Sequence, residues 1–227
     1  RGADADPPAG TCVTATIEGR RPLVAEVQAL VGPAAGSCPR RAVSGLDSSR
    51  LAMILAVVQR RLNAPLAAAD VYTATVGGVR LTEPAVDLAL VLAVVSALKD
   101  EALPGDLVAV GEVGLAGEVR RVPGIERRLA AAARMGFRRA VVPAGSFAIG
   151  ATLPDPDLAV IEVPDVVTAL TTVLPGRRIS GVPTPGIRHV SGSSSGSRVG
   201  STTSRPQSRN RLLSTAEAKE ADASSTG

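Results

Sequence analysis

The feature that most constrains the fold is the alternation of short β-branched segments with apolar helical segments between residues 11 and 175. Residues 12–18 read CVTATIE, which is typical of a strand, and a turn at 19–22 leads to a second strand over 23–31, so we predict a hairpin. The apolar stretch 51–58 follows Asp47, a residue type that caps helices. This alternation predicts one α/β domain of about 165 residues.

The remaining segments extend the same alternation. We predict a glycine-rich hairpin over 111–119 and strands over 71–76, 107–110, 139–142 and 158–163. An apolar helix should start near Pro84 and run to Leu98, because proline suits the first turn of a helix. An Ala- and Arg-rich helix is predicted over 125–135, and Asp165 should cap a last helix that ends before Pro175.

The composition changes sharply near Pro175. Residues 176–227 contain twelve serines and lack periodic apolar residues. Such a segment cannot bury enough apolar area to offset the entropy lost on ordering, so we predict that it is disordered. We therefore assign residues 1–10 to a disordered linker, 11–175 to the folded domain and 176–227 to a disordered tail rich in Ser, Gly and Arg.

The formal net charge of +4 is a property of the tail. Residues 1–175 hold 17 Lys and Arg against 18 Asp and Glu, whereas residues 176–227 hold 8 against 3. A nucleic-acid interface on the domain must therefore depend on how its arginines cluster, since the domain as a whole is nearly neutral.

Arginines do cluster in and around the helix predicted over 125–135. Arg127 and Arg134 are seven residues apart, about 700° of helical rotation, so they point to nearly the same side. Guanidinium groups suit phosphate oxygens, although a solvated helix face is the alternative interpretation. We predict that DNA phosphates are contacted by Arg80, Arg120, Arg121, Arg127, Arg128, Arg134, Arg138 and Arg139.

The residue content excludes several kinds of site. Neither Lys99 nor Lys219 follows a glycine, so a G-x-x-x-x-G-K-[ST] phosphate loop is absent. The single histidine, His189, lies in the tail, which leaves no imidazole in the domain for a Ser-His-Asp triad. Two cysteines cannot provide a four-ligand zinc site. We predict no metal and no cofactor in this chain, no membrane span, and a cytoplasmic location.

Two glycine-containing motifs stand out in the domain: residues 76–89 read VGGVRLTEPAVDLA and residues 111–120 read GEVGLAGEVR. They resemble motifs of the C-terminal domain of the RadA (Sms) family, which are bacterial DNA repair and recombination ATPases. Segments 18–30, 39–41 and 136–143 match as well, so the resemblance covers about residues 11–172. It implies a fold like the proteolytic domain of Lon protease, related to domain 2 of ribosomal protein S5.

The resemblance also bears on peptidase chemistry. In Lon peptidases a serine follows a proline at the start of the central helix, and a lysine follows the glycine-rich hairpin. The resemblance matches those positions to Ala85 and Glu126. A methyl group cannot attack a carbonyl, and a carboxylate cannot serve as the neutral amine base, so we predict that this chain is not an enzyme.

The family's organisation implies the remaining expectations. RadA proteins join a zinc-binding segment and an ATPase core to this domain, so ATP, Mg and Zn are expected in the parent protein and not in this chain. The implied role is branch migration of recombination intermediates by a homo-oligomer, a hexamer, that binds duplex or branched DNA with its ATPase core in cis. Because the chain begins with Arg, we expect a fragment or a processed piece.

Two alternatives remain. The domain could serve as an oligomerisation scaffold without direct DNA contact, its arginines pairing with carboxylates of a neighbouring subunit. It could instead be a Ser-dependent peptidase that uses Lys99, the only lysine in the domain, with Ser96 three residues before it.

Overall fold

A computed structural model describes residues 7–148, 153 and 155–174, together with the backbone of residues 188–190. All of these residues belong to one compact unit. The strands are β1 (Thr11–Glu18), β2 (Arg21–Pro33), β3 (Arg41–Ser44), β4 (Ala69–Thr75), β5 (Leu107–Ala109), β6 (Glu112–Val113), β7 (Val119–Arg120), β8 (Arg139–Pro143), β9 (Ala159–Val163) and β10 (Arg188–Val190). The α-helices are α1 (Ser48–Arg61), α2 (Asp87–Lys99), α3 (Ile125–Arg134) and α4 (Val166–Val173).

The main sheet has eight strands in the order β10-β9-β8-β5-β1-β2-β4-β3. Strands β1, β3, β4, β5, β8 and β9 share one direction, and β2 and β10 run the opposite way. Strands β6 and β7 form a separate antiparallel hairpin. The predicted α/β class, the hairpin of β1 and β2, and the glycine-rich hairpin are therefore confirmed.

Helices cover the two faces of the sheet unequally. Leu107 and Ala109 of β5 pack into the cluster that holds α1, α2 and α4, whereas Val108 and Val110 pack into the cluster that holds α3. This alternation follows from the two-residue period of a strand. Helix α2 lies in the thicker layer, where every residue from 87 to 96 is buried. A helix buried on all sides can be apolar all round, which explains its sequence.

Both predicted aspartate caps are present. Asp47 accepts hydrogen bonds from the backbone N–H groups of Ser49 and Arg50 at 2.8 and 2.9 Å. Asp165 accepts one from the N–H of Thr168 at 2.7 Å. Each carboxylate thus satisfies amide groups that have no partner inside the helix, which is why Asp is favoured at this position.

The structure also departs from the sequence-based assignment at several points. The first turn of the central helix, Pro84–Val86, is a separate 3-10 turn before α2. Strand β3 was not predicted, because its four residues, RAVS, are too few for a pattern and are fixed by pairing with β4. Residues 188–190 lie within the predicted disordered tail, yet their backbone pairs with β9. The rest of the predicted tail and most of the predicted linker lie outside the described residues.

Gly10 is a position where the fold requires glycine. Its φ is +87°, and an added Cβ would lie 2.2 Å from the carbonyl oxygen of Ala29. Its N–H donates to Ser96 Oγ at 2.8 Å, and its carbonyl accepts from the N–H of Ala29 at 2.7 Å. These bonds hold the chain against β2 and α2 as it enters the domain, so the backbone cannot easily move away from a side chain here.

We expect Gly10→Ala to lower the free energy of unfolding by about 2 kcal/mol or more, because left-handed backbone strain and a backbone clash add together. Gly19→Ala is the matched control, since Gly19 has a φ of +58° with open space around it, and only the strain of about 1 kcal/mol should appear. Urea unfolding of both variants measures the difference. Equal losses would show that the clash at Gly10 is relieved at little cost.

Candidate functional site

Helix α3 carries two exposed arginines on one side. Arg127 and Arg134 are both exposed, and at 1.5 Å per residue they are separated by about 10 Å along the helix axis. The helix is packed on the sheet through Ile125, Leu129 and Ala132, so the two arginines face away from that core. The predicted same-side arrangement is present.

The predicted arginines are divided between two edges of the sheet. Arg127 donates through Nη2 to the carbonyl of Arg20, and Arg121 donates through Nη1 to the carbonyl of Gly145 at 3.4 Å. Arg20 follows β1 and Gly145 follows β8, so Arg121 and Arg127 lie at the carboxyl ends of these parallel strands. Arg138 and Arg139 lie at the amino end of β8, on the opposite edge.

Three exposed residues of the predicted set are already paired with carboxylates. Arg120 donates to Glu118 at 2.5 Å, and Arg139 donates through Nε to Asp106 at 2.7 Å. Arg138 lies 4.0 Å from a carboxylate oxygen of Asp157. By contrast, no described residue forms a hydrogen bond or an ion pair with the side chain of Arg80 or Arg134. The paired arginines must exchange a carboxylate for a phosphate if they are to contact nucleic acid.

Arg128 corrects the predicted DNA-binding set. Its side chain is 3% exposed, and its two Nη atoms donate to the two carboxylate oxygens of Glu83 at 2.5 and 2.8 Å. It also donates to the carbonyls of Ala15 at 2.8 Å and Pro123 at 3.1 Å. All of these bonds are internal, so Arg128 is not available to DNA. Its position was readable from the sequence, since residues 125, 128, 129 and 132 share one helical face.

Glu83 is the centre of this internal network. Besides Arg128, it accepts hydrogen bonds from Thr16 Oγ1 and from the N–H of Ile17, the latter at 3.1 Å. Partial burial alone would raise the pKa of Glu83, but the hydrogen bonds from Arg128 and Thr16 outweigh it and hold the pKa below its ordinary value. Glu83 therefore stays ionised and ties β1 and α3 to the segment that leads into α2.

The two positions matched to the Lon catalytic pair lie close to this network. Ala85 is buried in the same cluster as Ile125, and its carbonyl accepts from the N–H of Gly111 at 2.8 Å. Glu126, next to Ile125 on α3, is exposed. Ser96, the serine of the alternative pair with Lys99, donates to the carbonyl of Glu101 at 2.5 Å and accepts from the N–H of Gly10. Its hydroxyl has a structural role at the end of α2.

A second ion pair was missed by the sequence analysis. The side chain of Asp87 is fully buried, and both of its oxygens accept from Arg50, with Nε at 2.8 Å from Oδ1. The N–H of Val113 donates to Oδ2 at 3.1 Å. Burial raises the pKa of Asp87, against the opposing effect of the hydrogen bonds from Arg50 and Val113. The sequence did contain a signal for this ion pair, because Asp87 is the only carboxylate in the apolar helix α2.

In the part of the chain that the structure describes, two further features are absent. No group of three or more His, Cys, Asp or Glu side chains is arranged to hold a metal ion there. None of the helices in that part of the chain has the length and apolar character to cross a membrane.

Residues 75–146 match the family model described as subunit ChlI of Mg-chelatase. Proteins named DNA repair protein RadA match a longer part of the chain. The protein from Mycolicibacterium smegmatis is 59% identical over 136 residues, which is 60% of this chain and 29% of that relative. The Escherichia coli protein is 51% identical over 137 residues, and the Bacillus subtilis protein is 43% identical over 169 residues, which is 74% of this chain.

These matches contradict one prediction. The ChlI model describes a subunit of an enzyme, and it covers the segment that contains Ala85 and Glu126. The prediction that this chain is not an enzyme is therefore wrong: it rested on the missing peptidase pair and the missing phosphate loop, and the chain is similar to part of an enzyme of another kind.

The chain spans about a third of the length of these relatives, from 29% to 36%. The resemblance found in the two glycine-containing motifs is confirmed by relatives from separate bacterial genera at 43–59% identity. The matched part of this chain is therefore homologous to part of the bacterial DNA repair protein RadA.

Proposed function

We propose that this chain is the Lon-like C-terminal part of a RadA-type DNA repair ATPase and that it contributes DNA contact to that protein. The homology to proteins named DNA repair protein RadA carries the proposal. In this proposal the ATPase core lies in the same polypeptide, the assembly is a hexameric ring, and the substrate is duplex or branched DNA at recombination intermediates undergoing branch migration.

The exposed arginines support a contact with the phosphate backbone. Arg80, Arg121, Arg127 and Arg134 are exposed, and none of them is paired with a carboxylate of a described residue. A guanidinium that has no acidic partner loses little when it exchanges water for a phosphate oxygen. Arg127 and Arg134 are the pair best placed, because they project from one face of a helix that is itself fixed to the sheet.

We expect Arg127→Glu combined with Arg134→Glu to weaken binding to a duplex of arbitrary sequence by about tenfold or more at low salt, because two phosphate contacts become repulsive. The slope of log affinity against log salt should fall by about 2, which is one unit per lost contact. Fluorescence anisotropy over a salt series measures both quantities.

The matched control is Arg40→Glu combined with Arg60→Glu. It makes the same change in charge at two exposed residues that precede β3 and end α1, both away from α3. Unchanged salt slopes in both double variants would show that α3 does not contact DNA. Equal losses in both would show that binding responds to net charge and not to this helix.

A second candidate is subunit assembly without DNA contact. Exposed Glu126 and Arg127 are neighbours on α3, and such a mixture of charges suits pairing with another subunit. Light scattering on the Arg127→Glu, Arg134→Glu variant separates the two candidates. A smaller assembly supports pairing between subunits, whereas an assembly of unchanged mass with weaker DNA binding supports phosphate contact.

A further inference from the structure

Over one part of the sheet, the described residues place no helix layer. On the face that carries α3, strands β2, β4 and β3 present two rows of side chains that cross the strands: Leu30, Tyr72 and Ala42 form one row, and Gln28, Ala74 and Ser44 form the next. We call these six residues the open face. Leu30 is 66% exposed and Tyr72 is 38% exposed, and the six residues line a hollow of about 460 Å³.

The open face has a distinct chemistry. None of its six residues carries a charge, and its largest side chains are a leucine and a tyrosine. An occupant that placed a charged group at its centre would lose hydration without gaining an opposite charge. The surface therefore favours an occupant with an uncharged, partly apolar contact area, unlike the arginine-rich side of α3.

The path of the chain indicates where such an occupant comes from. Pro8, Ala9 and Gly10 form part of the wall of the hollow, so the described chain enters the domain at its rim. The matched RadA proteins have roughly two thirds of their length outside the matched segment. Any module joined ahead of Pro7 would be tethered beside the open face, at an effective concentration on the order of millimolar for a short linker.

We propose that, in the RadA-length protein that contains this domain, the module preceding Pro7 packs an uncharged surface against the open face. This inference rests on the proposed function, since it requires the longer parent protein. The open face would then be an interdomain contact that fixes the orientation of this domain relative to the preceding module. DNA would remain free to approach α3, whose arginines lie outside the two rows of the open face.

Thiol labelling tests the proposal. Cys38 is exposed and would be replaced by serine, whereas Cys12 can remain, because burial raises its pKa to about 12 and keeps the thiol protonated and unreactive. Leu30→Cys then introduces a reactive thiol on the open face. Leu115→Cys is the matched control, since Leu115 is 69% exposed between β6 and β7. Maleimide labelling of each site is followed by mass spectrometry in this chain alone and in the full-length parent.

We expect labelling of Leu30→Cys to be about tenfold slower in the full-length parent than in this chain, and labelling of Leu115→Cys to change by less than about twofold. Equal rates at position 30 in the two proteins would overturn the proposal. The proposal would also be overturned if labelling at position 30 were slow in this chain alone and became slower as the protein concentration rose, because a second copy of the chain would then be the occupant. DNA binding by the same preparations tests the proposed function separately, since Leu30→Cys leaves every arginine unchanged.

Discussion

Arg128→Ala is expected to lower the free energy of unfolding by about 3–5 kcal/mol, because it leaves the half-buried carboxylate of Glu83 without its cation. The substitution also removes the donors to the carbonyls of Ala15 and Pro123. Three parts of the fold that lie far apart in sequence would lose their connection together. Urea unfolding monitored by circular dichroism measures the loss.

The neighbouring residue supplies the control for this prediction. Arg127→Ala removes an exposed guanidinium from the same helix and should change the free energy of unfolding by less than about 0.5 kcal/mol. Glu83→Gln should lower the free energy of unfolding much less in the Arg128→Ala background than in the unsubstituted protein, because it then removes a carboxylate that has already lost its cation. Losses that simply add would mean that Glu83 and Arg128 are not energetically coupled, contrary to their bidentate contact.

Arg50→Ala is expected to cost about 3–5 kcal/mol near neutral pH, because Asp87 would remain fully buried without its partner. The loss should depend on pH in a defined direction. Removing Arg50 takes away hydrogen bonds that lower the pKa of Asp87, so its already raised pKa rises further. The folded state then binds more protons than the unfolded state, and its stability falls as pH rises through the folded pKa.

The loss of unfolding free energy caused by Arg50→Ala, measured against the unsubstituted protein at the same pH, should therefore be smaller near pH 5 than near pH 7. Arg60→Ala is the control, since Arg60 is exposed near the end of the same helix and should change stability by less than about 0.5 kcal/mol at either pH. A loss for Arg50→Ala that is equal at both values would show that Asp87 stays charged without Arg50, held by the N–H of Val113.

The two ion pairs explain why part of the arginine content of this domain cannot serve a nucleic-acid contact. Arg50 and Arg128 each satisfy a carboxylate that flanks the start of α2, at Asp87 and Glu83. They hold α1 and α3 on opposite faces of the sheet around the same short segment. Arginines that stabilise the fold and arginines available to phosphate are thus neighbours in sequence, as Arg127 and Arg128 show.

The sequence by itself determined the order of the helices and of every strand except β3 and β10, the two hairpins, the aspartate caps and the homology to RadA. These features depend on neighbours within about one turn or one strand, where periodicity and capping chemistry act directly. It also placed Arg127 and Arg134 on one side of α3, because helical rotation is a local property.

Only the tertiary structure decided which buried charges pair with each other. Glu83 and Arg128 are 45 residues apart, and Arg50 and Asp87 are 37 apart, so no local pattern pairs them. The short strands β3 and β10 likewise exist through pairing with β4 and β9 and not through their own sequences. The reason is the same in each case: packing brings distant groups together, and burial then makes a charge or a backbone group depend on the partner it meets.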